Sequence, residues 1–444
     1  MTSIMKLALI ACNTERQGFP PMGIMYLSSY IKQAISDVKI TLYDVFPDME
    51  TLVNENYDMI GLSVLSIQYY ETEKYANVLR EQFNGIILLG GIHVTLTTNL
   101  PQWADIAILG EGEQTFLELL KCLLANNLKI TNDLERIDGL LYKKNNEVRK
   151  TATRKIIGNL DTIPFPDRES VGIDNYLKTN NVFGTVVGRG LTIMTSRGCP
   201  YNCEYCSSST MWGNIRFNSA EYVVNELEHI VNTYDTTKLW VIDDNFGVNA
   251  ARLKKMADDM ERRNLQVELG ISGRIESYND SMAELYKRVG VKAIAFGLET
   301  GSDRILKKIK NRSTKTVAKI ADTVRKAAAD GFEIHGMFMM NMPGETLEDI
   351  EATIKLIHEL PLAKCTMTIA TPYIGTKWWD IALEQGIVPK EPDSRFWDTY
   401  NIKEYIKGRP LFLNGINQEK LIDIYKEVHE YQRSLFYFDW HKQD

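Results

Sequence analysis

The 444-residue sequence reads as an α/β chain built from two successive parallel-sheet units: an open sheet first, then an incomplete barrel, with a small C-terminal region after it. Two observations predict this. Short apolar runs alternate with helical patterns from residue 5 to about 125, and the same rhythm resumes at residue 191 for six strand–helix units. A third marks the join: residues 126 to about 190 break the rhythm with Asn126-Asn127, a turn at Asn145-Asn146 and the extended run Ile163-Pro164-Phe165-Pro166-Asp167.

In the first unit the candidate strands are Lys6 to Ala11, Lys39 to Asp44, Met59 to Val64, Gly85 to Leu89 and Ile106 to Leu109. Helical patterns lie between them at Gly23 to Ile35, Tyr69 to Glu81 and Glu113 to Leu123. Apolar strands separated by helices imply a parallel sheet covered on both faces, a Rossmann-like (flavodoxin-like) arrangement over residues 1–135, whose ligands bind beyond the carboxyl ends of the strands. Residues 136–188 read as a linker.

The barrel is expected over residues 189–375. Its strands are Leu191 to Thr195, Leu239 to Asp243, Glu268 to Ser272, Ala293 to Leu298, Ile334 to Met340 and Thr366 to Thr371. Helices fall at Ala220 to Tyr234, Ala250 to Asn264, Asp280 to Val289, Lys315 to Gly331 and Leu347 to Leu360. Such barrels carry their active sites at the carboxyl ends of the strands. Residues 376–444 hold one helix, Gln418 to Phe436, and a set of aromatics from which Trp378, Trp397, Tyr400 and Phe412 are candidate pocket-lining residues, with core packing as the other reading.

Composition narrows the function classes. A formal charge of -7 and no long basic run give nothing for a nucleic acid to bind. The local cluster Lys143, Lys144, Arg149, Lys150, Arg154 and Lys155 surrounds the Asn145-Asn146 turn and reads as a solvated hairpin. No stretch has the length of a membrane span, and the N-terminus lacks a secretory architecture. Cys12, Cys122 and Cys365 are scattered through apolar segments as small hydrophobes, so a reducing cytoplasm is expected.

The other three cysteines, Cys199, Cys203 and Cys206, form C-x3-C-x2-C directly after Leu191-Thr192-Ile193-Met194. Three thiolates on one tight loop can hold three irons of a four-iron cluster and leave the fourth iron open. Structural zinc wants four closed ligands, and no fourth Cys or His follows nearby; His229 falls within a helix pattern.

This motif at the end of a first barrel strand, with Tyr205 just before its last cysteine, resembles the radical S-adenosylmethionine (radical SAM) enzymes. The resemblance implies a partial (β/α)6 TIM barrel, a [4Fe-4S] cluster on Cys199, Cys203 and Cys206, and S-adenosylmethionine chelated to the open iron and cleaved to methionine and a 5'-deoxyadenosyl radical. It also implies cofactor contacts along the strand ends. After the second strand, Asp243 or Asp244 would meet the methionyl ammonium, an N-cap for the helix near Asn249 being the alternative. Arg274 would hold the carboxylate, or else form a surface salt bridge. Glu299, in Phe296-Gly297-Leu298-Glu299, would bind a cofactor hydroxyl or amine, or else an internal cation. After the fifth strand Met339, Pro343, Gly344, Glu345 and Thr346 match the family, which has a glycine where this chain has Asn341; the adenine-side contact is therefore expected to differ. His335 reads as a satisfied structural histidine, with the barrel interior as its other possible location.

The first 125 residues resemble the cobalamin-binding domain that precedes the barrel in one branch of that superfamily. Pro20-Pro21-Met22-Gly23, Ser63-Val64-Leu65, Gly90-Gly91 and Gly110-Glu111 carry the resemblance. It implies that Ser63, Leu65, Gly90, Gly91, Gly110 and Glu111 accommodate cobalamin, the glycines by letting backbone approach a bulky ligand. The cobalt-ligating D-x-H-x-x-G motif is absent, and His93 is not assigned as a lower ligand; Tyr69 and Tyr70 either reach the cobalt or serve as core aromatics.

The resemblance implies an anaerobic C-methyltransferase that moves a methyl group from methylcobalamin to an unactivated carbon. Its substrate is expected to be a small metabolite or natural-product intermediate, its reductant an external low-potential electron donor. The alternative keeps both cofactors and cyclises, oxidises or rearranges its substrate without methyl transfer. A methylthiotransferase is disfavoured because only Cys12 and Cys122 precede the barrel motif. A non-enzymatic iron–sulfur scaffold is the alternative of a different class.

Overall fold

The computed structural model describes residues 4–145, 147–179, 190–309, 316–400, 409 and 411–437. They form two compact units: one runs to Asn175 and takes in the segment beginning at Glu391, and the other runs from Tyr176 to Lys390 and includes the residues after Tyr405.

The first unit contains β1 (Met5–Ala11), β2 (Val38–Tyr43), β3 (Met59–Ser63), β4 (Ile86–Gly90), β5 (Ile106–Ile108), β6 (Leu140–Lys144) and β7 (Glu147–Lys150). Leu7, Ile10, Met59, Ile60, Ile87 and Ile106 are fully buried, the continuous apolar pattern of strands covered on both faces. The order is β2-β1-β3-β4-β5-β6-β7, with β1 to β5 parallel. Its first five strands have the flavodoxin-like order, whose ligand crevice lies where the order reverses, between β1 and β3.

Two parts of the chain differ from the sequence reading. The segment expected to open a linker at residue 136 instead supplies β6 and β7, which pair antiparallel and extend the sheet. The basic residues of this hairpin are engaged locally: Arg149 pairs with Glu135 at 2.9 Å, and the Lys143 ammonium donates to the carbonyls of Pro101 and Gln102. The helix Ser394–Asp398 belongs to the first unit as well, packed against the helix Tyr69–Gln82. Trp397 and Tyr400 are therefore buried there, apart from Trp378 and Phe412, which are buried in the second unit.

The second unit is an open six-stranded parallel sheet with two short additional strands. Its strands are β8 (Gly190–Ile193), β9 (Ser196–Arg197), β10 (Arg216–Phe217), β11 (Lys238–Val241), β12 (Glu268–Gly273), β13 (Val291–Glu299), β14 (Glu333–Met340) and β15 (Lys364–Ile369). The main sheet runs β15-β14-β13-β12-β11-β8, an incomplete TIM barrel with strands in chain order. Amphipathic helices at Ala220–Tyr234, Ala250–Arg262, Asp280–Arg288, Val317–Ala329 and Leu347–Glu359 cover its outside. Side-chain caps start four of them: Ser219, Asn249, Asn279 and Thr316 each accept a backbone N–H three residues on. The helix Gln418–Tyr437 packs on β15, which shields that edge strand.

Turn geometry at the strand starts is tightly specified. Gly290 has φ +84°, and a Cβ there would be driven into the Val267 carbonyl. Gly290→Ala should therefore cost about 1–3 kcal/mol, since left-handed strain and the clash act together. A fall in the denaturant midpoint checks this, and an unchanged midpoint contradicts it.

Candidate active site

The site begins with the loop between β9 and β10, which carries Cys199, Cys203 and Cys206. The two strands pair antiparallel, Ser196 with Phe217 and Arg197 with Arg216, closing the loop at its neck. Gly198 turns it with φ +87°. Asp243, 3% exposed just after β11, holds that neck with four hydrogen bonds. Its Oδ1 accepts the N–H groups of Thr195 (2.6 Å) and Ser196 (3.0 Å), and its Oδ2 accepts their hydroxyls at 2.6 and 2.7 Å. Burial pushes its carboxyl upward in pKa, and the Arg252 guanidinium works against that shift. Arg252 pins the other side, donating to the carbonyls of Thr195 and Asn218 at 2.8 Å each.

Asp243 and Asp244 thus separate in role. Asp243 is consumed within the fold, and of the two aspartates Asp244 is the one that borders a cavity. That residue is exposed, accepts Ser208 Oγ at 2.6 Å and lines a cavity of about 350 Å³. Neither serves as the N-cap of the following helix; Asn249 does.

The cavity brings together Cys199, Cys203, Cys206, Asp244, Arg274 and Glu299, with Met339 on its wall. Arg274 lies 3.9 Å over the Tyr201 ring, pairs through two nitrogens with Glu276 at 3.1–3.2 Å, and donates to Cys203 Sγ at 3.1 Å. Its salt bridge is therefore internal, because both partners are largely buried. Glu299 ends β13 in a left-handed conformation, φ +68°, where a register shift interrupts the pairing with β14. Tyr205 donates to its carboxylate at 2.9 Å; burial and that carboxylate hold the phenol well above its usual pKa, so it remains a donor.

The opposite wall is Met337, Phe338 and Met339 from β14 with Thr366 and Thr368 from β15. His335 does face the cavity; its Nε2 shares a hydrogen bond of 2.7 Å with Thr366, and burial pushes its pKa down to about 3. Pro343 is buried away from this lining, its carbonyl taken by Lys308 at 2.9 Å. Trp378, Trp397, Tyr400 and Phe412 are absent from the lining too; each is a core aromatic.

In the first unit the implicated residues gather at the carboxyl ends of β3, β4 and β5. Ser63 ends β3 beside β1, and its carbonyl accepts the Cys12 N–H at 3.1 Å. Leu65, two residues beyond β3, stands 42% exposed. Gly91 has φ +97° and lies so close to Val64 that a Cβ would come within 2.7 Å of its backbone, while Gly90 and Gly110 have open space where a Cβ would be. Glu111 is engaged elsewhere, accepting the Ile157 N–H at 2.8 Å, which ties down the chain beyond the hairpin.

His93 is 3% exposed, stacked on Tyr69 (centroids 4.0 Å apart), hydrogen-bonded to Ser66 at 3.2 Å, and met edge-on by Trp397. Tyr69 is thereby a core aromatic, and burial pushes the His93 pKa down to about 3.

Known proteins agree with this division. The Radical SAM superfamily pattern matches residues 193–357, and the B12 binding domain pattern matches residues 10–120. A protein of Pyrococcus horikoshii named as an uncharacterized methyltransferase is 33% identical over 380 residues, covering 83% of this chain and 80% of the relative. The chain belongs to the cobalamin-dependent branch of the radical SAM enzymes. The anaerobic magnesium-protoporphyrin IX monomethyl ester cyclase of Cereibacter sphaeroides is 23% identical, covering 95% of this chain and 69% of that protein. In fold, the radical SAM methyltransferase TsrM from Kitasatospora setae, solved with tryptophan and a SAM analogue, superimposes with a TM-score of 0.70 at 15% identity, covering 86% of this chain and 76% of TsrM.

The residues fit the groups that such radical SAM enzymes carry. Among the described residues no three His, Cys, Asp or Glu side chains converge as a single metal ion would require. The three thiols instead share the wall of one cavity, as a cluster with one thiolate per iron needs. Burial raises the Cys199 thiol and pushes Cys206 up to about 11, so iron would have to stabilise the thiolates. Hydrogen bonds from Arg274 to Cys203 and from the Ser208 N–H to Cys206 at 3.5 Å supply donors to sulfur. For cobalamin, the open backbone at Gly90 and Gly110 beside exposed Leu65 is a cradle that side chains would fill.

Sequence reasoning missed Arg252, Glu276 and Thr195-Ser196. The Thr-Ser pair just before the cysteine motif is a local signal, whereas Arg252 and Glu276 carry none without the fold.

Two tests follow from this geometry. Asp243→Asn keeps one acceptor oxygen for two of the four donors, turns amide hydrogens toward the other two and removes the charge that faces Arg252, so it should destabilise the second unit by about 2–4 kcal/mol, with iron uptake lowered. Asp244→Asn should leave the unfolding midpoint unchanged; equal midpoints for all three proteins would contradict the assignment. His93 stays neutral in the fold down to pH about 3 but takes up a proton below about 6.5 when unfolded, so stability is lost as pH falls through that window. Between pH 6.5 and 5 this contribution falls by about 1.7 kcal/mol, and His93→Phe should remove it in denaturation measured at both pH values, leaving the similar loss that buried His335 contributes.

Proposed function

We propose that this radical SAM enzyme is a cobalamin-dependent C-methyltransferase that adds a methyl group to an unactivated carbon. The observation that carries the reading is the presence in one chain of a three-thiol cavity lined by Asp244, Arg274 and Glu299 and of a strand-end glycine cradle within a B12 binding domain. The name of the Pyrococcus horikoshii relative and that of TsrM both support methyl transfer.

Cys199, Cys203 and Cys206 would hold the [4Fe-4S] cluster; Asp244, Arg274 and Glu299 would orient S-adenosylmethionine; Ser63, Leu65, Gly90, Gly91 and Gly110 would accommodate cobalamin. When bound, these groups supply one-electron cleavage of a sulfonium and a methyl donor. The chain's own contribution is positioning. Tyr205 donates to Glu299 and fixes which way that carboxylate points. Arg274 is braced by Glu276 and by the Tyr201 ring, so its charge stays beside Cys203. Met337, Phe338 and Met339 make an apolar wall that excludes water from a reactive site, and neutral His335 is tied to Thr366 through its Nε2. No side chain is assigned as a general acid or base.

The substrate is read as a small metabolite or natural-product intermediate, the reductant as an external low-potential donor, and the compartment as the reducing cytoplasm. Among the described residues no helix is long and apolar enough to cross a membrane. Cyclisation without methyl transfer is the second reading, supported by the name of the Cereibacter relative.

Protein reconstituted anaerobically with iron, sulfide and cobalamin, then reduced and incubated with methyl-deuterated S-adenosylmethionine and a metabolite extract of its host, separates the readings. A product carrying a new carbon-bound deuterated methyl group is expected. Turnover of S-adenosylmethionine into an unlabelled product would overturn methyl transfer, and no cleavage at all would leave the scaffold alternative.

A further inference from the structure

The loop after β14, residues 341–345, has its backbone groups satisfied from several directions. Glu345 accepts the Met342 N–H at 2.9 Å. Lys308 donates to the Pro343 carbonyl at 2.9 Å, and Arg304 to the Gly344 carbonyl at 3.0 Å. Further bonds come from a stretch beyond β15 in the same unit. Asn414 donates to the Met342 carbonyl at 2.8 Å and accepts the Gly344 N–H at 3.0 Å. In return the Asn341 amide, oriented so that both its polar atoms have partners, donates to the Phe412 carbonyl at 2.9 Å and accepts the Phe412 N–H at 3.1 Å.

Two asparagines thus each clasp the backbone of the other's segment, and both Asn341 and Phe412 are completely buried. Asn341 has φ +65°, the left-handed backbone a glycine would adopt, which asparagine tolerates at modest cost. It keeps that turn and adds a side chain.

The clasp leads to the cysteine loop. Phe412 meets the Trp378 ring edge-on, centroids 6.1 Å apart, and Trp378 lies 5.3 Å from the Tyr205 ring. The Trp378 N–H donates to the Glu204 carbonyl at 3.3 Å, Lys377 pairs with the Glu204 carboxylate, and Thr210 donates to the Gly375 carbonyl at 3.0 Å. Tyr205 in turn holds Glu299.

We propose that Asn341 is a positioning residue for the cofactor cavity. By fastening residues 411–414 to the loop after β14, it seats Phe412 against Trp378 and so fixes Tyr205 and Glu299 beside the cysteines. The inference rests on the reading that this cavity binds S-adenosylmethionine at a cluster.

Asn341→Gly is the decisive variant, because glycine is unstrained at φ +65° and only the two amide bonds are lost. Hydrogen exchange of the Phe412 amide in the full chain should accelerate about tenfold. In the reconstituted protein, iron content should match wild type while the dissociation constant for S-adenosylmethionine, by equilibrium dialysis, rises about tenfold. Trp378→Phe should raise that constant without changing Phe412 exchange, which separates the relay from the clasp. Unchanged exchange in Asn341→Gly overturns the clasp, and faster exchange with unchanged S-adenosylmethionine affinity overturns the positioning role. Wild-type protein that takes up no iron would instead refute the cluster reading, with the exchange result still reporting on the clasp.

Discussion

The site depends on one buried ionic arrangement, the Asp243 carboxylate and the Arg252 guanidinium at the neck of the cysteine loop. Cys199, Cys203 and Cys206 lie on a loop with little regular structure of its own, and such a loop does not hold three thiols in place without external constraint. Asp243 accepts two backbone N–H groups and two hydroxyls from Thr195 and Ser196, while Arg252 takes the carbonyls of Thr195 and Asn218. Buried charges of this kind cost several kcal/mol in desolvation, which hydrogen bonds and the opposite charge offset, so loss of either partner disturbs the whole neck. That property suits a loop whose thiols must stay fixed through cluster binding and redox change.

The first unit meets a different constraint. Its sheet ends in backbone rather than side chains: Gly91 packs on Val64, and Gly90 and Gly110 leave the strand ends open. A bulky planar ligand needs this absence of side chains more than it needs any particular polar group. The nearby histidine is not offered as a ligand, because His93 is enclosed by Tyr69, Ser66 and Trp397 and kept neutral by burial. Trp397 arrives from a segment far along the chain, so completion of this unit waits on residues beyond the barrel strands.

What was legible in the sequence was what short-range pattern encodes. The apolar runs fell within a few residues of the strands of both sheets, and the three cysteines, Asp244, Arg274, Glu299 and Met339 do meet in one cavity. The rest depended on long-range pairing. Asp243 looked equivalent to Asp244 because nothing local shows that its acceptors face Thr195 and Ser196, 48 and 47 residues away. Residues 140–150 read as linker since their strands are short and half exposed, and only β5 makes them part of a sheet. Asn341 read as a departure from a glycine pattern; its compensating partner, Phe412, has no sequence signature at all.

The central claim is that the three thiols hold a four-iron cluster with one iron open to S-adenosylmethionine. Electron paramagnetic resonance of the anaerobically reconstituted and reduced protein, recorded before and after S-adenosylmethionine is added, tests it most directly. The account predicts a reduced four-iron signal whose g values shift on addition. A spectrum indifferent to S-adenosylmethionine, or iron retained after all three cysteines are replaced by alanine, would contradict it.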